Sequence, residues 1–235
     1  MSAPRTAMVM AAGLGTRMRP LTDSRPKALI EVAGKALIDH VIDPLVEVGV
    51  ERVVVNVHAF ADAMEAHLKA RRDVEVRISD ERARLLETGG GIKHARGLLG
   101  EDPIFVCNSD YVWMKPGRPA LEELAAAWDP SRMDVLLTVI PKDRTLGFDT
   151  PGDFFQAPDG TLTHRGEAAE APLHCFGIEI IDPTLIYIDP REAFTQRDTW
   201  LAASARKRLH GLQFEGLWMQ VGDPAALKLA EARLK

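Results

Sequence analysis

The residues best suited to chemistry lie within residues 7–29, where a glycine loop and several cations follow a short apolar run. Gly13 and Gly15 permit a sharp turn, and their backbone N–H groups can approach a ligand with no side chain in the way. Arg17 and Lys27 add positive charge to the same stretch. Bare amides beside cations are typical of a polyphosphate site. The alternative is an ordinary glycine turn after the first strand of an α/β protein, because a single G-x-G pattern is common.

The loop is neither of the two widespread phosphate-binding motifs. It lacks the Gly-Lys-Ser/Thr of a Walker loop and the third glycine of a dinucleotide fingerprint. The string Ala12-Gly13-x-Gly15-Thr16-Arg17-x-x-Pro20-Leu21-Thr22, followed by Pro26-Lys27-x-Leu29, resembles the signature of the sugar-1-phosphate nucleotidyltransferases. The resemblance extends from Ala7 to about Glu231. The nucleotide-binding residues that it implies in this loop are Ala12, Gly13, Gly15, Thr16, Arg17 and Lys27, of which Arg17 and Lys27 are also catalytic.

Residues 86–91 form a second glycine-rich segment, Leu-Glu-Thr-Gly-Gly-Gly. Consecutive glycines oppose helix formation, because each costs up to about 1 kcal/mol relative to alanine. We therefore expect a backbone that closely approaches a flat ligand, and a flexible turn before a helix is the alternative. The resemblance implies a nucleobase pocket here, with Glu87, Thr88 and Gly89 binding the nucleotide. The segment is most similar to the family branch that uses UTP and N-acetylmuramate 1-phosphate.

A buried-strand pattern over residues 103–107 ends in Asn108-Ser109-Asp110. A carboxylate at the carboxyl end of a central strand faces the ligand crevice of an α/β sheet. Mg²⁺ prefers oxygen ligands and shares substrate phosphates with one or two carboxylates, so Asp110 is a candidate metal ligand. The alternative role for Asp110 is an N-cap. The resemblance makes Asp110 catalytic and Asn108 a substrate contact; the family usually shows Asn-Gly-Asp, and Ser109 departs from it while sparing both functional side chains.

The other substrate contacts that the resemblance implies lie in the second half of the chain. Lys142 and Asp143 follow a predicted strand and form a second candidate cluster at the crevice. Gly177 allows the backbone to approach the sugar. Trp218, on the last predicted strand, completes this set.

Gln220 is the main departure from the family pattern. In close relatives this strand reads Trp-x-Asp-Val-Gly, and its aspartate is a second magnesium ligand. An amide oxygen can bind magnesium but brings no negative charge. Three explanations stay open: one metal suffices, Asp223 or Asp143 substitutes, or the protein binds nucleotide without turning it over.

Alternating strands and helices must position these residues, and both can be read from the hydrophobic pattern. Strands are predicted at residues 8–12, 52–57, 74–79, 103–107, 133–140, 173–181 and 216–221. Helices are predicted at residues 37–48, 60–68, 92–99, 119–128 and 195–209, and again from 224, with Asp223 as N-cap. This order implies right-handed crossovers and a doubly wound, mostly parallel, Rossmann-like α/β sheet.

Residues 149–163 are rich in Gly, Pro and Asp and predict a small β-hairpin, which the resemblance assigns to the sugar side. We expect one nucleotidyltransferase domain over residues 1–235, with a nucleotide half over about 1–115 and a sugar half over about 116–235. Many members of the resembling family carry an added C-terminal domain. This sequence ends after its last predicted helix, so we expect the transferase alone.

Composition narrows the class of protein. The net charge of −5 with dispersed cations argues against a nucleic-acid surface. No apolar run is long enough for a membrane span or a signal peptide. Cys107 and Cys175 lie in strand-like sequence without metal-finger spacing, which favours free thiols in a reducing cytoplasm. The expected partners are small-molecule substrates, and the sequence leaves monomer and homodimer open.

The resemblance implies an enzyme that transfers a nucleotidyl group from UTP to N-acetylmuramate 1-phosphate, with Mg²⁺, in peptidoglycan recycling; the residues alone do not fix the base or the sugar. The attacking phosphate is already an anion, so no general base is needed and catalysis depends on positioning and positive charge. The alternative enzyme is a mannose-1-phosphate guanylyltransferase. The alternative from another class is a catalytically silent nucleotide-binding regulatory subunit, for which Gln220 would be the mark.

Overall fold

Strands and helices alternate through most of the chain. The computed structural model describes residues 3–115, 117–146 and 150–234. The strands are β1 (Thr6–Met10), β2 (Glu31–Val32), β3 (Lys35–Ala36), β4 (Arg52–Val57), β5 (Glu75–Asp80), β6 (Ile104–Asn108), β7 (Tyr111–Met114), β8 (Val135–Pro141), β9 (Thr145–Leu146), β10 (Phe154–Gln156), β11 (Leu162–His164), β12 (Leu173–Ile181), β13 (Leu209–Gln213) and β14 (Leu217–Gln220). The helices are α1 (Leu37–Glu47), α2 (Ala61–Leu68), α3 (Glu87–His94), α4 (Arg96–Leu99), α5 (Ala120–Ala127), α6 (Thr184–Tyr187), α7 (Arg197–Ala205) and α8 (Pro224–Leu234), with 3₁₀ turns at Thr16–Met18, Lys27–Leu29 and Lys142–Arg144.

A nine-stranded mixed sheet forms the centre of the fold. Strands β5, β4, β1 and β6 are neighbours in that order and pair in parallel. Strand β12 pairs antiparallel with both β6 and β8, and β13 adds to β8 in parallel. The β10–β11 hairpin attaches to β12, so β12 and β11 run against the other strands of this sheet. The prediction of a doubly wound, mostly parallel sheet with a small hairpin is confirmed; residue 149 of the predicted hairpin region lies outside the described residues.

Both faces of the sheet are covered by helices, which explains why its central strands read as continuous apolar runs. In β4, Val53 and Val55 face one core cluster and Val54 faces the other, and all three are fully buried. Burying such a side chain contributes roughly 1.5–3 kcal/mol. The first cluster includes side chains of α1, α2 and α5, and the second includes side chains of α3, α4, α6 and α7.

A smaller sheet brings the end of the chain back to the centre. Strand β14 pairs antiparallel with β7 and in parallel with β9. In this register Gln220 lies opposite Tyr111, directly after Asp110. The backbone N–H of Val221 donates to the carbonyl of Asp110 at 2.8 Å. The small sheet therefore places Gln220 beside the predicted magnesium ligand.

Two element predictions are wrong. The three glycines at residues 89–91 lie inside α3, which starts at Glu87, whereas we expected the helix to follow them. A Cβ at Gly90 would overlap the carbonyl of Glu192, so close backbone packing excludes larger residues here and overrides helix propensity. The helix predicted over residues 195–209 ends at Ala205 as α7, and Leu209 begins β13. Strand β13 gains backbone hydrogen bonds from β8, a partner too far away in sequence to show in a local pattern.

Cys107 and Cys175 are both free, as expected. None of the helices in the described part of the chain has the length and apolar character needed to cross a bilayer. The division into a nucleotide half and a sugar half stays a prediction.

Candidate active site

A cleft of about 430 Å³ opens at the carboxyl ends of β1 and β6. This is the edge at which parallel α/β sheets bind ligands. Its walls come from four parts of the chain: the loop after β1, the end of β4, the start of α3, and the region where β6 and β14 end. The lining residues are Met10, Ala11, Ala12, Gly13, Gly15, Thr16, Arg17, Lys27, Ala28, Asn56, Leu85, Glu87, Thr88, Asn108, Ser109, Asp110, Tyr111, Gln220 and Gly222.

The loop after β1 presents backbone and cations to this cleft. Gly15 adopts a left-handed conformation with φ of 62°, and its carbonyl accepts a hydrogen bond from the Thr22 hydroxyl at 2.9 Å. A Cβ at Gly13 would meet no atom within 4 Å, so that backbone stays open to a ligand. Met18 is fully buried and anchors the 3₁₀ turn, while Arg17 remains exposed. Arg17 forms no ion pair with any described residue, and its cation is available to an anionic ligand.

Lys27 and Asp110 form the central ion pair of the cleft. Lys27 Nζ lies 2.6 Å from Asp110 Oδ2, and the side chains are 15% and 18% exposed. Burial, followed by the charge of Asp110, raises the pKa of Tyr111 well above its ordinary value and keeps that phenol neutral. A ligand phosphate can take Lys27 only by competing with Asp110, which frees that carboxylate for another cation.

A buried hydrogen-bond network that was not predicted from the sequence lies behind the cleft. Asn56, at the end of β4, accepts from the Ala11 N–H at 2.7 Å and donates to Glu81 Oε1 at 2.8 Å. Glu81 is 2% exposed, and its Oε2 accepts from the Leu86 N–H at 3.2 Å. The network joins the start of the glycine loop to the segment before α3. The sequence feature that could have predicted this network is Asn56, a polar residue within the β-branched run of β4.

The predicted nucleobase residues divide into two groups. Glu87 and Thr88 line the cleft, and Glu87 has a φ of 64°, which is unusual for a residue other than glycine. Gly89 does not line it. The Gly89 N–H donates to the Phe194 carbonyl at 2.9 Å, and a Cβ at Gly89 would lie 2.5 Å from the Phe194 ring. Gly89 thus packs α3 against Phe194 in this structure, and its contact with the nucleotide stays a prediction.

Asn108, Asp110 and Gln220 lie together in the wall of the cleft. Ser109, where the family usually has glycine, is buried and its hydroxyl donates to the Met10 carbonyl at 2.7 Å. This bond joins the ends of β6 and β1. Gln220 is also buried, and its Nε2 donates a long, weak hydrogen bond to the Tyr111 hydroxyl at 3.4 Å. This bond does not use the amide oxygen of Gln220.

The alternative metal ligands fit less well. Asp223 accepts from the N–H groups of Ala225 and Ala226 at 3.0 and 2.9 Å, as predicted for the N-cap of α8, and it does not line the cleft. Among the described residues no group of three or more His, Cys, Asp or Glu side chains could hold a metal unaided. One carboxylate and an adjacent amide oxygen fit Mg²⁺ only if substrate phosphates and waters complete the set, which is the usual arrangement for this ion.

The predicted sugar-side contacts are scattered. Gly177 lines a second cavity beside the cleft, where its φ of 78° and the overlap of any Cβ with the Tyr111 ring both require glycine. Lys142 pairs with Glu170 at 3.2 Å and Asp143 is exposed; neither lines the cleft or this cavity. Trp218 is fully buried. In this structure it offers no surface to a substrate, and its contact with the sugar stays a prediction.

Trp218 instead supports the cleft from behind. Its ring packs against Tyr111 with centroids 4.9 Å apart and against Phe176 with centroids 5.5 Å apart. Apolar spacing alone could not separate a buried tryptophan from one that stacks on a sugar.

Fold and cleft together define an α/β nucleotidyltransferase. The model of the MobA-like NTP transferase domain matches residues 7–215, and the chain belongs to that family. It is 52% identical over 236 residues to N-acetylmuramate alpha-1-phosphate uridylyltransferase of Caulobacter vibrioides, covering 99% of this chain and 98% of that protein. It is 31% identical to mannose-1-phosphate guanyltransferase of Hypocrea jecorina over 92% of this chain and 60% of that protein. The family resemblance predicted from the glycine loop is confirmed.

A solved structure titled UDP-glucose pyrophosphorylase complexed with UDP-glucose matches with a TM-score of 0.81 and 16% sequence identity, covering 98% of each chain. At this identity the match supports the fold alone. It agrees with the mixed sheet and its two helical layers.

Proposed function

We propose that this enzyme transfers the uridylyl group of UTP to N-acetylmuramate 1-phosphate and releases pyrophosphate. The observation that carries nucleotidyl transfer is the convergence in one cleft of open glycine backbone, the Lys27–Asp110 pair, and Arg17, which has no ion-pair partner among the described residues. The choice of UTP and N-acetylmuramate is supported by the 52% identity with the Caulobacter relative over nearly the whole of both chains. A role in peptidoglycan recycling stays a prediction.

The reaction requires one phosphorus–oxygen bond to form and one to break. An oxygen of the sugar phosphate attacks the α-phosphorus of UTP in line, and the bond to the bridging oxygen of the β-phosphate breaks, so that its electron pair leaves with pyrophosphate. The nucleophile is anionic at neutral pH, so no residue has to remove a proton. The protein must instead hold two polyanions together and stabilise charge on the leaving group.

The residues of the cleft divide this work. The amides of Gly13, Gly15 and Thr16, with the Arg17 guanidinium, hold the β- and γ-phosphates. Lys27 contacts the α-phosphate and the incoming phosphate once it leaves Asp110. The cations of a site of this kind act mainly by binding the transition state more strongly than the ground state. Asn108, at the boundary with the second cavity, holds the sugar phosphate.

Asp110 would hold Mg²⁺ with the Gln220 amide oxygen next to it. When bound, the ion screens the negative charge of the phosphates and of the leaving pyrophosphate. One carboxylate lies within the usual range for a Mg²⁺ site completed by substrate phosphates. On this account Gln220 weakens the site without removing it, and the chain is an active enzyme.

Pyrophosphate release tests the proposal when four nucleoside triphosphates are each combined with a panel of sugar 1-phosphates. We expect UTP with N-acetylmuramate 1-phosphate to have the highest kcat/KM. A higher value for GTP with mannose 1-phosphate would replace this function with that of a guanylyltransferase. Nucleotide binding without turnover of any pair would support a silent regulatory subunit. Asp110→Asn, purified in parallel, reports contaminating activity.

A further inference from the structure

A second cavity of about 270 Å³ adjoins the cleft. Thr88 and Asn108 line both spaces, so a ligand that has a phosphate at Asn108 can extend from one into the other. The remaining wall comes from β6, from β12 and from the start of α7. The additional lining residues are Val106, Cys175, Gly177, Ile178, Glu179, Thr195, Gln196, Arg197 and Trp200.

Glu179 is a buried polar group that lines this cavity and lacks a full set of partners. Its carboxyl is 3% exposed and Oε1 accepts from the Gln196 side-chain amide. Among the described residues, Oε2 has no hydrogen-bond partner. Burial raises the pKa of Glu179 to about 8. The nearby indole N–H of Trp200 partly offsets this increase in pKa, although its geometry with Oε2 does not meet that of a hydrogen bond. A neutral carboxyl can donate to an uncharged ligand oxygen and does not repel an anion.

Arg197 supplies the positive charge of the cavity wall. It is exposed at the first position of α7 and forms no ion pair with any described residue. The neighbouring carboxylate, Asp198, is engaged by Arg191 at 2.8 Å. The start of a helix adds partial positive charge near the Arg197 side chain. Apart from Glu179, whose pKa burial raises to about 8, the described residues that line this cavity include no carboxylate to pair with Arg197.

We propose that this cavity holds the sugar ring of the acceptor and that Arg197 binds a carboxylate carried by that sugar, so that Arg197 selects carboxylated N-acetylhexosamine 1-phosphates over uncharged ones. The inference rests on the proposed function, since it places the 1-phosphate at Asn108 and the rest of the acceptor beyond it. Glu179 then donates from Oε2 to a neutral oxygen of the sugar. Arg197 is a specificity-determining residue and takes no part in the bond changes at phosphorus.

Two acceptors that differ only by the lactyl ether test the role of Arg197: N-acetylmuramate 1-phosphate and N-acetylglucosamine 1-phosphate. Equilibrium dissociation constants of both are measured for the wild type, Arg197→Gln and Arg197→Lys, and kcat and KM are measured with UTP. Arg233→Gln is the matched control, because Arg233 is an exposed arginine of α8 without an ion pair to any described residue. It removes the same charge away from the cavity.

We expect Arg197→Gln to weaken binding of N-acetylmuramate 1-phosphate about tenfold, the range of one charge-assisted hydrogen bond to a side chain that starts exposed. The KM for N-acetylmuramate 1-phosphate should rise while kcat stays unchanged. The dissociation constant of N-acetylglucosamine 1-phosphate should change by less than about twofold. Arg197→Lys should recover part of the loss, and Arg233→Gln should match the wild type.

Equal weakening of both acceptors, or of neither, would overturn the role of Arg197, since the first indicates a contact with the shared phosphate and the second indicates no contact. Failure of the proposed function is a separate result. It would appear as absence of pyrophosphate release by the wild type, and the binding constants would still decide whether Arg197 recognises the carboxylate.

Discussion

The buried carboxyl of Glu179 predicts that stability falls as the pH rises. In the unfolded chain this group has an ordinary pKa of 4.5, and burial raises the folded value to about 8. Between these two values the unfolded chain is ionised while the folded protein keeps the proton. The unfolded state then binds fewer protons, so each pH unit in this window lowers the free energy of unfolding by up to about 1.4 kcal/mol. The loss is complete once the pH exceeds the folded pKa.

Glu179→Gln removes this dependence and keeps the shape of the side chain. From pH 5.5 to 8.5 the wild type should lose up to about 3 kcal/mol from this group, and the variant should lose none of it. Relative to the wild type, the variant therefore gains stability on passing from the lower to the higher pH. The free energy of unfolding is measured by urea denaturation at both pH values. Glu167→Gln, at an exposed glutamate, is the control and should follow the wild type.

Parallel pH dependence of the free energy of unfolding in the wild type and Glu179→Gln would exclude a raised pKa for Glu179 in the folded protein. It would mean that Glu179 is ionised in the folded protein at pH 7, and the cavity would then contain a negative charge next to Arg197. The role of a neutral hydrogen-bond donor would be lost with it.

The remaining predictions concern the cleft and the packing of α3. Lys27→Ala and Arg17→Ala should each lower kcat by orders of magnitude, because both cations contact phosphate. The far-UV circular dichroism spectrum should stay unchanged. Near-wild-type rates in both variants would exclude a phosphate site. Asp110→Asn should abolish pyrophosphate release. Gln220→Asp should lower the Mg²⁺ concentration that gives half-maximal rate, because a carboxylate binds this ion better than an amide does. A higher Mg²⁺ requirement in Gln220→Asp would show that position 220 does not contact the metal. Gly90→Ala should lower the melting temperature measured by calorimetry, although alanine has the higher helix propensity, because the added Cβ would overlap the Glu192 carbonyl. A raised melting temperature would contradict that packing.

Much of the fold could be predicted because its central strands are buried on both faces. The apolar runs of β1, β4, β6 and β12 carry their own signal, and α1 shows helical periodicity. Strand β13 and the helical state of residues 89–91 could not be predicted, because contacts with distant segments determine both. Local pattern has no access to such contacts.

The site divides in the same way. The phosphate loop is a continuous stretch of sequence and Asp110 follows a recognisable strand, so both could be chosen as candidates from the sequence, and both line the cleft. The Asn56–Glu81 network joins residues 25 positions apart, and the cavity of Glu179 and Arg197 forms where β12 meets α7. The complete burial of Trp218 could not be predicted for a related reason, because a sequence motif does not show burial. The roles of Asn56, Glu179, Arg197 and Trp218 depend on which distant residues surround them in the folded protein, and the local sequence does not show this.

The fate of isotopic label shows whether this cleft guides a sugar phosphate to the α-phosphorus of UTP. The enzyme is incubated with N-acetylmuramate 1-phosphate and with UTP labelled at either the α- or the γ-phosphate, and the products are separated. We expect the α-label in the UDP-sugar and the γ-label in pyrophosphate, and we expect Lys27→Ala to reduce both strongly. Release of γ-label as inorganic phosphate, or transfer of γ-label to the sugar, would exclude attack at the α-phosphorus.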